Sequence, residues 1–196
     1  MSKINLQDSF KEFCKKKKYE INPQQTELIE ILERFLNYKD SFFNKFLNKK
    51  EKLCFYLYGK VGVGKTMLLN FVYDKLKIKK HRQHFNEFMI NFHDFRHEKK
   101  DDNTISNFVE ELKKKYDLIY FDEFQVTNIV DAMILGKLFE VIFNENIKII
   151  ITTNTKLNDL YKDGLQRDQF LPFISIIEKF SIQKELIIKD DYRIKN

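Results

Sequence analysis

The stretch that decides the fold is GKVGVGKT, Gly59–Thr66, which follows the apolar run Leu53–Tyr58. It matches the pattern G-x-x-x-x-G-K-T, in which glycines let the chain curl until several backbone N–H groups point at one anion. A helix is predicted to begin at the end of this loop, and its positive N-terminal end would attract the same anion. The spacing and the strand–loop–helix context together predict a site for the phosphates of a nucleotide.

The residues of this loop have defined chemical tasks in such a site. The ammonium group of Lys65 is expected to reach the β- and γ-phosphates, and the Thr66 hydroxyl is expected to bind Mg²⁺. We therefore expect ATP and Mg²⁺ as the cofactors. The predicted nucleotide-binding residues are the loop and the residue that follows it: Gly59, Lys60, Val61, Gly62, Val63, Gly64, Lys65, Thr66 and Met67.

Two adjacent carboxylates, Asp122 and Glu123, end the short apolar strand that is predicted over Leu118–Phe121. A carboxylate at the tip of this strand can hold Mg²⁺ through water, opposite Thr66. A second carboxylate beside it can polarise an attacking water. Asp122 is therefore the predicted metal-side residue, and Glu123 is the predicted general base of a hydrolysis reaction. The alternative is an ordinary acidic pair between a strand and a turn.

Polar residues also follow the next predicted strand, Ile147–Thr152. The C-terminal tips of strands face the ligand in open α/β sheets, so Asn154 is predicted to orient the water between Glu123 and the γ-phosphate. A turn asparagine that ends a strand is the alternative for this residue. Arg167 lies in a later loop, from which it could reach a neighbouring subunit's γ-phosphate and neutralise developing charge. Sequence spacing does not separate this role from a surface arginine in an ion pair.

Apolar strands alternate with amphipathic helices from residue 53 onward. This pattern predicts an α/β fold of the P-loop type, with a mostly parallel sheet that helices cover on both faces. The predicted strands are Leu53–Tyr58, His84–Phe92, Leu118–Phe121, Ile147–Thr152 and Ser181–Ile188. The predicted helices are Thr66–Lys77, Thr104–Lys115, Asn128–Glu145 and Asp168–Glu178. The longest helix is expected to turn four residues inward: Val130, Ile134, Leu138 and Val141.

Residues 1–50 are predicted to form a helical arm ahead of a P-loop core over residues 51–196. A second helix is predicted to begin at Pro23 with Asn22 as its cap, because proline is favoured at the first helical position. The first helix is expected to present one apolar face, made of Leu6, Phe10 and Phe13. The buried side of the second helix is expected to contain Leu28, Ile31, Leu32 and Phe35.

The composition limits the compartment and the partners. Hydrophobic residues make up 43% of the 196 residues, which suits one domain with a substantial core. The net charge of +6 fits nucleic acid or an anionic membrane, but no basic face repeats with helical spacing, so solvated lysines are favoured. Cys14 and Cys54 lack metal-site spacing, which favours a reducing compartment. No stretch approaches the ~18 apolar residues of a membrane span and no signal core is present, so we expect a cytoplasmic protein.

The histidines and the aromatic stretches have structural explanations. The histidines stand in two pairs whose spacing fits a shared helix face: His81 with His84, and His93 with His97. No cysteine or carboxylate cluster completes a metal site, so we interpret them as polar residues at strand edges. The stretches Phe42–Phe46 and Phe88–Phe95 are predicted to belong to the core rather than to a platform that stacks bases.

These motifs resemble the ZapE family of AAA+ ATPases, the bacterial cell-division ATPases, and its mitochondrial relatives. The resemblance runs from about Pro23 to Arg193 and is most diagnostic in FDEFQVT, Phe121–Thr127, and in DAMIL, Asp131–Leu135. Further matching strings are Tyr56–Leu69, Tyr73–Asp74, His84–Met89 as the family's second strand, Asp159–Lys162, Gly164–Arg167, Phe170–Ile174 and Asp191–Arg193. Such long ordered agreement is far more specific than a phosphate loop alone.

The resemblance implies an ATP-hydrolysing AAA+ core that assembles as a homo-oligomeric ring. It implies that Asn154 is the sensor asparagine and that Arg167 is the trans-acting arginine. It further implies that hydrolysis is coupled to action on a protein partner. In bacteria this partner would be a tubulin-like division-ring protein at the septum, and in mitochondria a membrane-associated client, which leaves peripheral contact with a membrane open.

The chain departs from the family at three places. Lys60 stands where a second glycine is usual, Asn128 replaces an aspartate, and the chain ends soon after Arg193, whereas family members continue into a further helical region. That region supplies part of the adenine pocket and a lid, so we expect no complete C-terminal lid domain here. Two alternatives to an ATPase motor stay open: a nucleotide-dependent binding module with little turnover, and a DNA-associated P-loop loader.

Overall fold

The computed structural model describes residues 5–37, 52–99, 101 and 103–187. Within these ranges the elements follow in the order α1 (Leu6–Lys17), α2 (Pro23–Asn37), β1 (Cys54–Tyr58), α3 (Lys65–Lys75), β2 (Lys80–His84), α4 (Phe85–Lys99), α5 (Thr104–Lys115), β3 (Leu118–Asp122), α6 (Ile129–Asn144), β4 (Lys148–Thr153), α7 (Leu171–Phe180) and β5 (Ser181–Glu185). Two short 3₁₀ turns, Leu157–Asp159 and Arg167–Gln169, lie between β4 and α7.

The strands form one parallel sheet in the order β2-β3-β4-β1-β5. Successive residues of a strand point to opposite faces. On β1, Phe55 and Leu57 pack with α1, α2 and α3, whereas Cys54 and Tyr56 pack with α4 to α7. Both faces of the sheet are therefore covered, which explains the continuous apolar runs of β1, β3 and β4. The predicted α/β fold, with a parallel sheet between two helical layers, is confirmed.

The carboxyl ends of β1, β3 and β4 lie side by side at one edge of the sheet. The register pairs Tyr58 of β1 with Thr153 of β4, and Phe121 of β3 with Ile151 of β4. Ligands of open parallel sheets bind at this edge, beyond the strand tips. The fold thus brings the three motifs that follow these strands to one place.

The sequence predicts a strand over His84–Phe92, and this prediction is wrong. The strand is β2, Lys80–His84, which lies at the edge of the sheet and consists of polar, partly exposed residues. It therefore lacks the apolar run by which a buried strand is recognised. Helix α4 begins at Phe85, and its buried residues follow the i, i+3, i+4, i+7 spacing of a helix: Phe85, Phe88, Met89 and Phe92.

Smaller corrections concern α6, α7 and β5. Val130 is 47% exposed instead of inward, because it lies in the first turn of α6 beside the cap residue Asn128. Leu138, in the middle of the same helix, is buried as predicted. The predicted helix Asp168–Glu178 begins only at Leu171, after the second 3₁₀ turn, and β5 ends at Glu185.

The histidines divide between two elements. His81 and His84 lie on the edge strand β2, as interpreted from the sequence, whereas His93 and His97 lie on α4 and are not strand residues. His93 Nε2 lies 2.7 Å from Asp131 Oδ1, so this contact joins α4 to α6. Among the residues that the structure describes, no group of three histidine, cysteine or carboxylate side chains could hold a metal ion.

The aromatic residues of α4 and the two thiols contribute to the buried interior. Phe88 and Phe92 are buried in the core, while the stretch Phe42–Phe46 lies outside the described residues. Cys14 and Cys54 are buried free thiols, and burial raises the pKa of both. Over the described ranges, no helix combines the length and the apolarity needed to cross a membrane.

The N-terminal helices form part of the layer on one face of the sheet. Helix α2 begins at Pro23, and Asn22 Oδ1 accepts a hydrogen bond from the Gln24 N–H at 2.8 Å, which confirms the predicted cap. Helix α1 buries Leu6, Phe10 and Cys14 in this layer, with Phe13 partly buried. The predicted boundary near residue 50 lies outside the described residues, so the division into arm and core stays a prediction.

Candidate nucleotide-binding site

Three glycines of the phosphate loop, Gly59, Gly62 and Gly64, have positive φ values that disfavour any larger residue. Gly59 has a φ of +153°, and a Cβ atom there would lie 2.4 Å from the carbonyl oxygen of Leu186. Gly64 has a φ of +87°, and its Cβ would lie 3.2 Å from Gln25 Nε2. Helix α3 begins directly after Gly64, so its unpaired N–H groups face the loop. The loop is therefore fixed between α2, α3 and the segment after β5.

Lys60 shows that the loop does not require glycine at its second position. Its side chain is exposed, and its backbone does not adopt a positive φ. Its carbonyl oxygen accepts a hydrogen bond from Lys65 Nζ at 2.9 Å, as any residue could. The departure from the family at this position therefore leaves the conformation of the loop intact.

Lys65 links the loop to the tip of β4. Its side chain is buried, and Nζ donates to the carbonyl oxygen of Gly59 at 2.7 Å, to that of Lys60, and to Asn154 Oδ1 at 2.9 Å. Burial lowers the pKa of the ammonium group, and the negative charge of Asp122 opposes that shift. Lys65 and Asn154, predicted separately from the sequence, are thus in direct contact.

Asp122 ends β3 as a buried carboxylate surrounded by donors. Oδ1 accepts from Thr152 Oγ1 at 2.6 Å, from the Glu123 N–H at 3.2 Å and from the Tyr120 hydroxyl at 3.3 Å. Arg82 Nη2 donates to Oδ2 at 2.5 Å. Burial alone would raise the pKa of Asp122, but the hydrogen bonds from Thr152 and Arg82 outweigh burial, so its pKa is lowered. The carboxylate is therefore ionised at neutral pH.

Glu123 stands beside this buried group but points into solvent. Its backbone has a φ of +53°, which is uncommon for a residue with a side chain. Its side chain is 77% exposed, and the His84 ring lies beside it, with Nδ1 3.8 Å from Oε2. The next residue, Phe124, donates its N–H to the Thr152 carbonyl oxygen at 2.8 Å, which holds the turn against β4. The carboxylates of the adjacent residues Asp122 and Glu123 thus differ in environment, since the first is buried and the second is exposed.

A cleft of about 370 Å³ collects these groups. Its size lies within the usual range of roughly 300–1,000 Å³ for small-molecule sites. It is lined by Val61, Gly62, Gly64, Lys65, Thr66, Met67, Asp122, Glu123, Phe124, Gln125, Thr152, Thr153 and Asn154. The structure therefore unites most of the predicted loop residues with the predicted metal-side, base and sensor residues. Gly59, Lys60 and Val63 support the loop from outside this lining.

Arg167 does not line the cleft of its own chain. It begins the second 3₁₀ turn, and its Nη2 donates to the Asn158 carbonyl oxygen at 2.6 Å. Its Nε is buried without a hydrogen-bond partner. Within the described part of the chain, no carboxylate forms an ion pair with it, so the alternative of a surface ion pair is not seen there.

Three residues of the site were missed by sequence reasoning. The sequence did not indicate Arg82, because the second strand was predicted too far along the chain. The pairing of β2 with β3 therefore could not be predicted. Thr152 belongs to the predicted strand, and the alternation of β4 could have indicated that it turns toward Asp122. Gln125 lines the cleft within a string that carried the family resemblance, but no role was assigned to it.

The oxygen donors of the cleft suit Mg²⁺. The Thr66 hydroxyl and the Asp122 and Glu123 carboxylates are hard oxygen ligands, and they line one cleft with Lys65. Magnesium in nucleotide sites keeps several waters and binds one or two protein oxygens together with phosphate oxygens. Such a site needs no cluster of three protein ligands, in agreement with the lack of one among the described residues.

Solved structures share the fold at low sequence identity. The structure of AMPPCP-bound DnaA from Aquifex aeolicus superposes with a TM-score of 0.59 at 18% identity. The superposition covers 90% of this chain and 51% of that chain. At this identity the likeness supports the P-loop α/β fold and no more.

Curated relatives agree more closely in sequence. Lactation elevated protein 1 homolog B from Danio rerio is 37% identical over 154 residues, which cover 72% of this chain and 31% of the relative. Cell division protein ZapE from Escherichia coli (strain K12) is 34% identical over 142 residues, which cover 71% of this chain and 38% of that protein. The chain thus spans about a third of the length of these relatives. The resemblance to the ZapE family is confirmed.

A family model gives the broadest match. The model of the AFG1-like ATPase family matches residues 7–196, which include every motif and strand of the site described above. The chain therefore belongs to the AFG1-like ATPase family.

Proposed function

We propose that this protein binds Mg-ATP in the cleft, hydrolyses it to ADP and phosphate, and couples hydrolysis to action on a protein partner. The observation that carries the proposal is the convergence of Lys65, Asp122, Glu123 and Asn154 around one cleft at the strand tips. Family membership supports ATPase chemistry at the level of the family. Because the chain spans about a third of its relatives, turnover and partners belong to this proposal.

In the proposed site, the phosphates take over the contacts that hold Lys65 to the loop. The backbone N–H groups at the start of α3 and the Lys65 ammonium bind the β- and γ-phosphates. The Thr66 hydroxyl and, through water, the Asp122 carboxylate hold Mg²⁺. When bound, Mg²⁺ neutralises charge that develops on the phosphate oxygens.

Glu123 is the proposed general base. Its exposed carboxylate lies at the wall of the cleft, where it can accept a proton from the attacking water. Asn154 lines the same cleft, against Lys65, and its amide can orient that water toward the γ-phosphate. The two carboxylates are assigned different roles because their environments differ. The buried Asp122 carboxylate already accepts several hydrogen bonds, whereas the exposed Glu123 carboxylate is open to water.

Arg167 is the proposed trans-acting residue of a homo-oligomeric ring. It lies outside the cleft of its own chain, and its guanidinium contacts a backbone carbonyl rather than a carboxylate. Its positive charge is therefore available to a neighbouring subunit's γ-phosphate. The proposed partner is a protein: the relative named as a cell division protein supports a division-ring partner in the bacterial cytoplasm, with a membrane-associated client as the other possibility.

The experiment that tests this function measures both the rate of ATP hydrolysis and the affinity for Mg-ATP in the Glu123→Gln variant. We expect hydrolysis to fall by roughly 10²- to 10⁴-fold, the usual contribution of a general base, while Mg-ATP affinity stays within a few-fold of the unaltered protein. Glu12→Gln is the matched control, because it makes the same change on the exposed side of α1. Full hydrolysis by Glu123→Gln would reject Glu123 as the base.

A second measurement tests the trans role of Arg167. Activity per chain is expected to rise with protein concentration, and Arg167→Ala is expected to be inactive at every concentration. Lys162→Ala is the control, since it removes an exposed positive charge from the same segment. Lys162 Nζ lies 3.7 Å from Asp159 Oδ1, so this ion pair is loose. Mg-ATP binding without turnover by the unaltered protein would instead support a nucleotide-dependent binding module.

A further inference from the structure

We propose that Arg82 is an internal counter-cation for Asp122. It donates to Oδ2 of this carboxylate, and its positive charge competes with a Mg²⁺-bound water for the negative charge of Asp122. The inference rests on the proposed function, because it takes the cleft to be the Mg-ATP site. It adds a residue of the edge strand that determines how strongly Mg²⁺ promotes nucleotide binding.

The two oxygens of Asp122 have different neighbours. Oδ1 accepts from the Thr152 hydroxyl, the Glu123 N–H and the Tyr120 hydroxyl, at 2.6, 3.2 and 3.3 Å. Oδ2 accepts from Arg82 Nη2 at 2.5 Å. Because a carboxylate oxygen offers about two lone-pair directions, Oδ1 is already saturated. A water carried by Mg²⁺ can therefore bond only at Oδ2, the oxygen that Arg82 holds.

Arg82 is placed both to reach Oδ2 and to leave it. Strands β2 and β3 pair Arg82 with Tyr120, and the guanidinium lies over the Tyr120 ring, 5.2 Å from its centroid. The Arg82 side chain is 34% exposed, whereas that of Asp122 is 6% exposed. The cation can thus move into solvent while the carboxylate keeps its place.

A counter-cation is needed because a buried, unpaired carboxylate destabilises the fold. Arginine stays charged at any physiological pH, so Arg82 can neutralise Asp122 throughout this range. The same contact opposes Mg²⁺, since it neutralises the carboxylate charge that attracts a Mg²⁺-bound water. Arg82 therefore reduces the factor by which Mg²⁺ raises nucleotide affinity.

The test compares nucleotide affinity with and without Mg²⁺ in Arg82→Met, which keeps side-chain length and removes the charge. A fluorescent ATP analogue is titrated into the full chain in excess Mg²⁺ and in EDTA, and the ratio of the two Kd values gives the Mg²⁺ enhancement. We expect the enhancement to rise by about tenfold, within the usual range of coupling between two sites. The thermal midpoint is expected to fall in EDTA and to recover with Mg²⁺ and nucleotide. An unchanged or lowered enhancement overturns the inference.

Lys80→Met is the matched control, because Lys80 lies two residues away on the same face of β2. Its Nζ donates to the carbonyl oxygens of Tyr73 and Leu76 instead of Asp122. We expect this variant to lose stability equally with and without Mg-nucleotide and to keep the Mg²⁺ enhancement of the unaltered protein. A tenfold rise in this control as well would overturn the assignment to Arg82.

Arg82→Lys is the second arm if Arg82→Met does not fold. It keeps the charge but replaces the planar fork by a point donor, so a smaller rise in the enhancement supports the inference and no rise overturns it. Failure of the unaltered protein to bind nucleotide overturns the proposed function and the inference together. Normal Mg-nucleotide binding with an unchanged enhancement in the Arg82 variants overturns the inference alone.

Discussion

The hydroxyl of Thr152 is one residue on which the buried carboxylate of Asp122 depends. Both side chains are buried, and Oγ1 donates to Oδ1 at 2.6 Å. Burial acts to raise the pKa of Asp122, but hydrogen bonds led by that of Thr152 lower it below the ordinary value of 3.8. A carboxyl group whose pKa is lower in the folded state than in the unfolded state stabilises the protein at pH values above its unfolded-state pKa. This contribution is lost as the pH falls through the folded-state pKa.

Replacement of Thr152 by valine tests this dependence. Thr152→Val keeps the shape of the side chain and removes the donor, so Asp122 stays ionised with one partner fewer. We expect a loss of about 1–3 kcal/mol in the free energy of unfolding at pH 7, measured by urea denaturation. The loss is expected to shrink as the pH falls through the depressed folded-state pKa of Asp122, where the carboxyl group becomes protonated. Thr152→Ser, which keeps the hydroxyl, is the control, and an equal loss at pH 7 and below this pKa would contradict the account.

At the scale of elements, burial decides which strands can be predicted. Strands β3 and β4 are buried on both faces, so their apolar runs mark them, and the tips that carry Asp122 and Asn154 follow directly. The edge strand β2 is polar, and the apolar residues after it belong to a helix, so a strand was predicted where α4 begins. The contact of Arg82 with Asp122 depends on sheet order, which the spacing of residues along the chain does not contain.

The features of the site also differ in whether the sequence predicts them. The sequence predicted Lys65 and Asn154 at one ligand, because parallel strand tips face the same site, but it did not predict their direct contact. The left-handed backbone of Glu123 was not predicted either, because a residue with φ of +53° is held there by its neighbours rather than by its own preference. For Arg167, the sequence places the residue in a loop but does not determine where its guanidinium lies.

The start of α6 provides a test at this scale. Asn128 Oδ1 accepts from the Val130 N–H at 2.8 Å and caps the helix at the position where the family commonly has aspartate. Asn128→Ala is expected to lower the free energy of unfolding by about 1 kcal/mol, because the N–H loses its partner. Asn128→Asp is expected to stay within about 0.5 kcal/mol of the unaltered protein, since aspartate caps equally well. Urea denaturation measures both, and an alanine variant of full stability would refute the capping role.

At the scale of the whole molecule, the two buried thiols report on different layers. Cys14 lies on α1, which packs on α2 and α3 at the outside of one helical layer. Cys54 lies on β1, between β4 and β5 in the interior of the sheet. A layer held on one side opens at lower free energy than a central strand. The N-terminal helices are therefore expected to separate before the sheet unfolds.

Thiol labelling measures this order. In the native state neither cysteine is expected to react rapidly with a maleimide, because both are buried and burial raises both thiol pKa values. At rising urea, Cys14 is expected to become reactive at a lower concentration than Cys54. Single variants Cys14→Ala and Cys54→Ala assign the labelled site. Simultaneous exposure of both thiols would show that the two layers unfold as one unit.

The contacts of Lys65 have a consequence for selectivity. Its ammonium group donates to two loop carbonyl oxygens and to the Asn154 amide oxygen. An incoming anion must therefore compensate for three hydrogen bonds that it displaces. A lone phosphate or sulfate reaches fewer of the N–H groups along the loop and the helix than a polyphosphate chain, which spans them. We therefore expect the loop to prefer polyphosphate chains to the small anions of a cell.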